Sequence, residues 1–261
     1  MRSLLPFDLS LKTVHSLAAL ASLGLLAAAA TPVAAETGSV KGRFVVDGDL
    51  PDLEPLLAKN APGAKDAAVC AAEPVPNQKF VVGEDGGVAN IVVYLKEAPD
   101  DMPEEAATPP EEKVVFDQKG CVFEPHVIAV QAGQTIEVKS SDGVAHNVRA
   151  NFFNNPGFNF VVQANGSKDV TMQLGESAPS SIACDIHPYM IAFWMVTDHP
   201  YVAVTDAEGN FEIKNLPEGK HKFRVWHEAA GYIDRSMKVE IEAGETTDLG
   251  DIDVEADDLT K

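Results

Sequence analysis

Apolar and polar residues alternate with a period of two along most of this chain, the pattern of half-buried strands. "GSVKGRFVVDG" ends in a turn signal, and "ANIVVYL" (89–95) is a run of β-branched and aromatic residues. Further on, "VVFD", "HVIAVQAGQTIEVKSSDG", "HNVRA", "DVTMQL", "SIAC" and "IAFWMVTD" repeat the pattern with Gly, Asn and Asp between them. Past residue 200, "NFEIKNL", "KHKFRVWHE" and "SMKVEIEAGETTDLGDIDVEA" continue it. Many short strands at regular spacing predict an all-β sandwich or barrel. Helical signal is confined to 53–73, where Pro55 and Pro62 allow only one or two short turns.

Two segments break the alternation. Residues 1–35 read as a secretory leader. Arg2 and Lys12 precede the apolar run "SLAALASLGLLAAAA" (16–30), and small residues Val33, Ala34 and Ala35 offer a cleavage site. The run is short for a membrane span and no later stretch is longer, so the expected mature chain starts near residue 36 without a transmembrane segment. The leader implies a periplasmic, secreted or cell-surface location. The second break, "APDDMPEEAATPPEE" (98–112), has six acids and four prolines and is expected to be a solvated linker.

Charge narrows the partners. With 40 acidic and 20 basic residues the net charge is −20, which opposes nucleic acid and favours a basic protein partner. The three cysteines, Cys70, Cys121 and Cys184, leave one unpaired in an oxidising compartment.

Cys184 stands in "CDIHPYM" (184–190), three residues before His187 and six before Met190. On a strand such spacing sends side chains to alternate faces, so convergence on one point needs a loop. Pro188 supports one, between a strand ending near Ala183 and another starting near Ile191. A thiolate, an imidazole and a thioether are soft donors. Two His, one Cys and a weak axial Met make a type 1 copper site. The best second histidine is His146, in "SSDGVAHNVRA", with Asn147 placed to brace the ligand loops by hydrogen bonds. Zinc is the rival ion, but a thioether is a poor zinc ligand. The alternative to any metal is a buried Cys and Met that fill a core.

The segments "FEPHVIAVQAGQTI", "GQTIEVKSSDGVAHNV" (133–148) and "CDIHPYM" resemble cupredoxins, and the short gap from His187 to Met190 is similar to the amicyanin rather than the plastocyanin pattern. The resemblance covers about 113–198. It implies a Greek-key sandwich with one type 1 copper ion, His146, Cys184 and His187 equatorial and Met190 axial. It also implies single-electron transport, with the electron leaving through the imidazole edge of His187 beneath Pro188, Tyr189 and Ile191. Where the family often has Asn ahead of the first His, this chain has "SSDG". With Cys184 taken as a ligand, a Cys70–Cys121 disulfide is expected. His126, His199, His221 and His227 are scattered, with no H-x-H pair; a second metal at any of them is left open.

"AVTDAEGNFEIKNLPEGKHKFRVWHEAAGY" (203–232) resembles the regulatory-like β-sandwiches found beside carboxypeptidases. Their opening strands match residues ahead of the cupredoxin-like segment. The resemblance and the strand order imply a discontinuous sandwich, 37–97 plus 200–256, with the linker 98–112 and the cupredoxin domain 113–198 inserted; the alternative is three consecutive units. This outer sandwich carries no nucleophile–base pair at useful spacing, so structure or partner binding rather than catalysis is expected of it; the cupredoxin resemblance implies that the protein is an electron carrier, not an enzyme, with a cytochrome-like redox partner. The alternative is a non-redox copper-binding or cell-surface interaction module.

Overall fold

The structure is a computed structural model that describes residues 36–260. The expected leader lies outside the described residues. Sixteen strands follow one another: β1 Thr37–Asp47, β2 Val92–Leu95, β3 Val114–Lys119, β4 Val122–Glu124, β5 Val127–Gln131, β6 Thr135–Ser140, β7 His146–Ala150 and β8 Phe158–Val162. Then come β9 Ser167–Thr171, β10 Ser180–Ala183, β11 Ile191–Thr197, β12 Val202–Val204, β13 Asn210–Pro217, β14 Gly219–His227, β15 Gly231–Ile241 and β16 Thr246–Glu255. Among the described residues helix is limited to α1 (Ala67–Cys70), α2 (Ala256–Leu259) and a 3₁₀ turn, Glu104–Ala107. Among the described residues no helix is long and apolar enough to cross a membrane.

The strands form four sheets, in the orders β13-β1-β16, β12-β2-β14-β15, β5-β11-β10-β7-β8 and β4-β3-β6-β9. The chain leaves the first two after Leu95, builds the last two with β3 to β11, and re-enters at Val202. Period-two burial explains the stacking. In β2, which is buried at every position, Val93 and Leu95 face one core with Phe44, Phe211, Phe223 and Val254, while Val92 and Tyr94 face another with Val127 and Met195. In β11, Met195 joins that middle core, and Ala192, Trp194 and Val196 turn to a third with Phe116, Ile136, Val148 and Ile182. Trp194, fully buried, meets Phe116 edge-on at 5.1 Å and anchors this third core. Truncating such an aromatic costs about 3–5 kcal/mol.

The stretch 98–112 has no buried residue and is mostly exposed, and Ala106 O and Glu112 O accept hydrogen bonds from Gln131 Nε2 (2.8 Å) and Gln134 Nε2 (3.0 Å), which hold it on the β5–β6 turn. One expectation needs correction: part of 37–97 leaves the sandwich to which it was assigned. Leu57, Val69 and Cys70 pack on the core of β3–β11, where a disulfide to Cys121 (Cα–Cα 5.1 Å) fixes them.

Candidate metal centre

The site lies where β7 begins and the β10–β11 hairpin turns. Ile182 and Ala183 of β10 pair with Ala150 and Arg149 of β7, and Ala183 pairs with Ile191 of β11. These pairings set His146, first residue of β7, beside the loop 184–190. Asn147 closes the junction: its Oδ1 accepts N–H bonds from Asp185 (2.6 Å) and Ile186 (3.1 Å). A tight return bond, Met190 N–H to His187 O at 2.9 Å, shapes the rest of the loop.

His146, Cys184 and His187 are all buried, and their donor atoms lie within 4.8 Å of one another. His146 Nδ1 and His187 Nδ1 are 3.0 Å apart, and Cys184 Sγ is 3.9 Å from His187 Nδ1. Met190 is buried in the same core cluster as Cys184. Each imidazole has a carboxylate on its far nitrogen: Asp142 Oδ2 is 2.8 Å from His146 Nε2, and Asp66 Oδ2 is 3.0 Å from His187 Nε2. An ionised carboxylate only accepts, so Nε2 of each ring carries the hydrogen and Nδ1 is left as the donor atom for a cation. Two nitrogen lone pairs facing each other at 3.0 Å need positive charge between them.

The electrostatics agree. Burial opposes charge on His146, yet hydrogen bonding to Asp142 and contact with Cys184 lift it to about 9, so without metal a proton serves as that charge. Burial would push the Cys184 thiol up, but hydrogen bonding to His146 and to the backbone at Asn147, His187 and Ile186 outweighs it and lowers the thiol toward thiolate. Burial depresses His187, against the pull of Asp66 and with the help of the His146 charge. Asp142 is held below its ordinary value against burial by His146 and by the N–H groups of Cys121 and Gly120. Those two N–H groups, at 2.8 and 2.6 Å, belong to the β3–β4 turn, so the disulfide's own turn orients the carboxylate behind His146.

The donor set fits a soft transition metal. Nitrogens about 2.0–2.1 Å and sulfur about 2.3 Å from an ion stand roughly 3.3–3.6 Å (N–N) and 3.6–3.8 Å (N–S) apart. The observed 3.0 and 3.9 Å need only small side-chain adjustment to reach that range. Of the three-residue groups close enough to hold a metal, the other two use Cys70 or Cys121, whose sulfurs are bonded to each other.

His187 has no exposed imidazole edge: it is 0% exposed, and Asp66 sits on its Nε2. Asp66 belongs to the segment around α1 that the Cys70–Cys121 disulfide ties to this core. Asp142 and Asp66 are the functional residues that sequence reasoning missed. Asp142 carried a faint signal, four residues before His146; Asp66, 121 residues from its partner, carried none.

The scattered histidines have other environments. His199 Nε2 donates to Leu95 O, and its Nδ1 accepts from Tyr201 N–H. His221 Nε2 donates to Pro217 O. His126 Nε2 pairs with Glu228 Oε2 at 2.7 Å, and His227 Nδ1 accepts from Ala229 N–H.

The fold and site together define an all-β protein with a buried Cys-His-His donor set. No protein-family model matches the chain, and no curated protein matches it. Among solved structures, a purple cupredoxin from Nitrosopumilus maritimus is 14% identical, with 32% of this chain and 99% of that chain covered and a TM-score of 0.28. Amicyanin from Paracoccus versutus is 18% identical, with 34% and 92% covered and a TM-score of 0.29. A copper-containing nitrite reductase from Thermus scotoductus is 21% identical at a TM-score of 0.30; 33% of this chain is covered, and it spans only 22% of the reductase. With scores this low, the site geometry rather than these likenesses bears on function.

Proposed function

We propose that the protein is an exported type 1 copper protein that carries single electrons. The observation that supports this is the pair of Nδ1 atoms 3.0 Å apart, each ring backed by a carboxylate, with the Cys184 sulfur 3.9 Å from one of them. Copper in such a set supplies one-electron exchange between Cu(I) and Cu(II). The chain's part is to hold the donors. Asp142 and Asp66 fix the tautomers of His146 and His187, Asn147 braces the cysteine loop, and the depressed thiol of Cys184 offers a thiolate. Met190 supplies the thioether, which selects against zinc. The net charge of −20 suits a basic, cytochrome-like partner. In this reading 113–198 is a cupredoxin-like insert in a regulatory-like sandwich, and the whole acts as a carrier rather than an enzyme in the periplasm or at the cell surface.

The buried His187 edge favours a second reading, a non-redox copper-binding or surface interaction module. One experiment separates them. Cu(II) added to the mature protein is expected to give an intense visible thiolate-to-copper band that Cys184→Ser abolishes. Reversible bleaching by a reduced cytochrome supports the carrier, and a band that resists it supports the second reading. No band in the parent defeats both.

A further inference from the structure

The Cys70–Cys121 disulfide lies against the candidate metal centre. Its two sulfurs and a ring nitrogen of His187 all lie within 4.8 Å of one another, and so do the Cys121 sulfur, an Asp142 carboxylate oxygen and a ring nitrogen of His146. Each cysteine is also joined to the carboxylate behind one histidine. Cys121 and Gly120 donate N–H bonds of 2.8 and 2.6 Å to Asp142, which pairs with His146. Cys70 donates its N–H to Asp66 O at 2.9 Å across the single turn of α1, and Asp66 pairs with His187.

The two carboxylates depend on the disulfide unequally. The Asp142 side chain is 6% exposed, and the turn that holds it is built into the β3–β4 pairing. The Asp66 side chain is 34% exposed, so its position follows its backbone more than its packing. That backbone belongs to a segment whose hydrogen bonds turn inward: Leu56 N–H to Val75 O, Val75 N–H to Leu57 O and Asn60 N–H to Ala71 O. A cavity of ≈320 Å³ is lined by Leu56, Val75 and Asn77 of this segment and by Phe123, Met190 and Phe193 beyond it. The disulfide, the Asp66–His187 pair and the apolar side chains of Leu57, Val69 and Cys70 tie the segment to the core beside that gap.

We infer that the disulfide is a redox-controlled clasp on the metal centre: closed, it positions Asp66 on His187, and opened, it frees Asp66 and loosens the hold on the metal. Cys70 and Cys121 are then positioning residues, and the inference rests on the reading of His146, Cys184 and His187 as metal donors. Opening takes a dithiol. Its two thiols supply two electrons and two protons, the Cys70–Cys121 S–S bond breaks, each sulfur becomes a thiol, and the dithiol leaves as a disulfide. Linkage runs both ways. If opening weakens the metal tenfold, bound metal makes the disulfide tenfold harder to reduce, about 30 mV in its potential.

Two measurements test it. In the metal-free mature protein, proton–nitrogen spectra of the imidazoles should show a slowly exchanging Nε2–H on His187, held by Asp66. Dithiothreitol, a dithiol, should abolish that signal while the β-sheet signature of the far-UV spectrum stays. Chelator competition for Cu(II) then compares the parent with Cys70→Ser/Cys121→Ser. Affinity should fall about 10–100-fold, the usual cost of losing a histidine's outer partner. Asp66→Asn should cost as much in the parent and nothing further in the serine variant, where Asp66 is already off the ring. Serines that merely loosened the fold would leave the Asp66→Asn cost intact. The inference is overturned by a His187 Nε2–H that survives reduction, by undiminished Cu(II) affinity in the serine variant, or by an Asp66→Asn cost that persists there. If the parent takes up no Cu(II), the copper reading falls. In that case, or if the serine variant does not fold, the imidazole spectra of the parent alone decide whether the disulfide holds Asp66 on His187.

Discussion

Asp66 reaches the candidate metal centre from outside the loops that hold the donors. Its carboxylate, 3.0 Å from His187 Nε2, leaves Nδ1 free and holds the ring in place. Its backbone is left-handed (φ 51°, ψ 38°), a conformation Asn also tolerates. Asp66→Asn therefore keeps the local fold and removes only the charged acceptor. It is expected to weaken copper affinity about 10–100-fold, as loss of a histidine's outer partner typically does, while the thiolate-to-copper band persists at saturating metal. Competition with a chelator of known affinity measures it; unchanged affinity would show that Asp66 merely covers the ring. The contrast with the donors themselves explains what could be read from sequence. Cys184, His187 and Met190 crowd into seven residues, and their chemistry limits the choice of ion. Asp142 sits on the same turn as His146. Asp66 reaches the site only through tertiary packing, and an acid among 40 acids has no chemical mark.

At the scale of elements, the hairpin β14–β15 carries a buried histidine with a pH signature. His227 is 0% exposed and its Nε2 has no partner. Burial, with the nearby His126 charge, lowers it from 6.5 to about 4. Between these values the unfolded chain binds the proton and the folded one does not, so stability rises with pH through this window and is lost as pH falls from about 6.5 toward 4. Between pH 7 and pH 4.5 the loss from this residue is about 2 kcal/mol. His227→Phe is expected to be flatter than the parent by that amount in urea-unfolding midpoints across the window, and parallel curves would refute it. Elements differ in how openly their sequence declares them. The loop 184–190 falls between β10 and β11 where Pro188 and the flanking apolar runs predict it. Strand β8, "FNFVV", lies between the turn signals "NNPG" and "ANG" and could have been read by the same rule. The docking of the segment 56–71 was legible only through its cysteine: the expected Cys70–Cys121 disulfide is present and, across 51 residues, holds the segment on a distant core. In the chain-entropy account that closure contributes about 4 kcal/mol.

Across the whole molecule, the four sheets are joined through one shared layer. The unbroken apolar run Ile91–Leu95 is its trace in the sequence, though a run that is apolar on both faces does not say which two cores it serves. Tyr94 crosses the layer: it packs with Val127 and Met195, its Oη lies 3.0 Å from Tyr232 Oη, and it donates to Ser177 O at 3.3 Å. Arg224 Nη1 reaches the same carbonyl, also at 3.3 Å. Strands from both halves of the chain thus share apolar area and a polar network, which predicts one cooperative unfolding transition. A metal bound only by the folded state, at 100 times its Kd, adds about 2.7 kcal/mol, and for a chain of this size shifts the transition upward by roughly 5–10 °C. In the parent, scanning calorimetry with and without copper should show a single peak that moves as a whole. Tyr94→Ala removes the residue that spans the layer, and should split the peak. Only the part containing β3–β11 should then respond to copper, since His146, Cys184, His187 and Met190 all lie within it. Two peaks in the parent would mean that the stacked sheets melt independently and that the shared layer carries little energy. A single copper-sensitive peak in the variant would mean that other contacts, such as those of Met195 and Trp226, suffice to couple them.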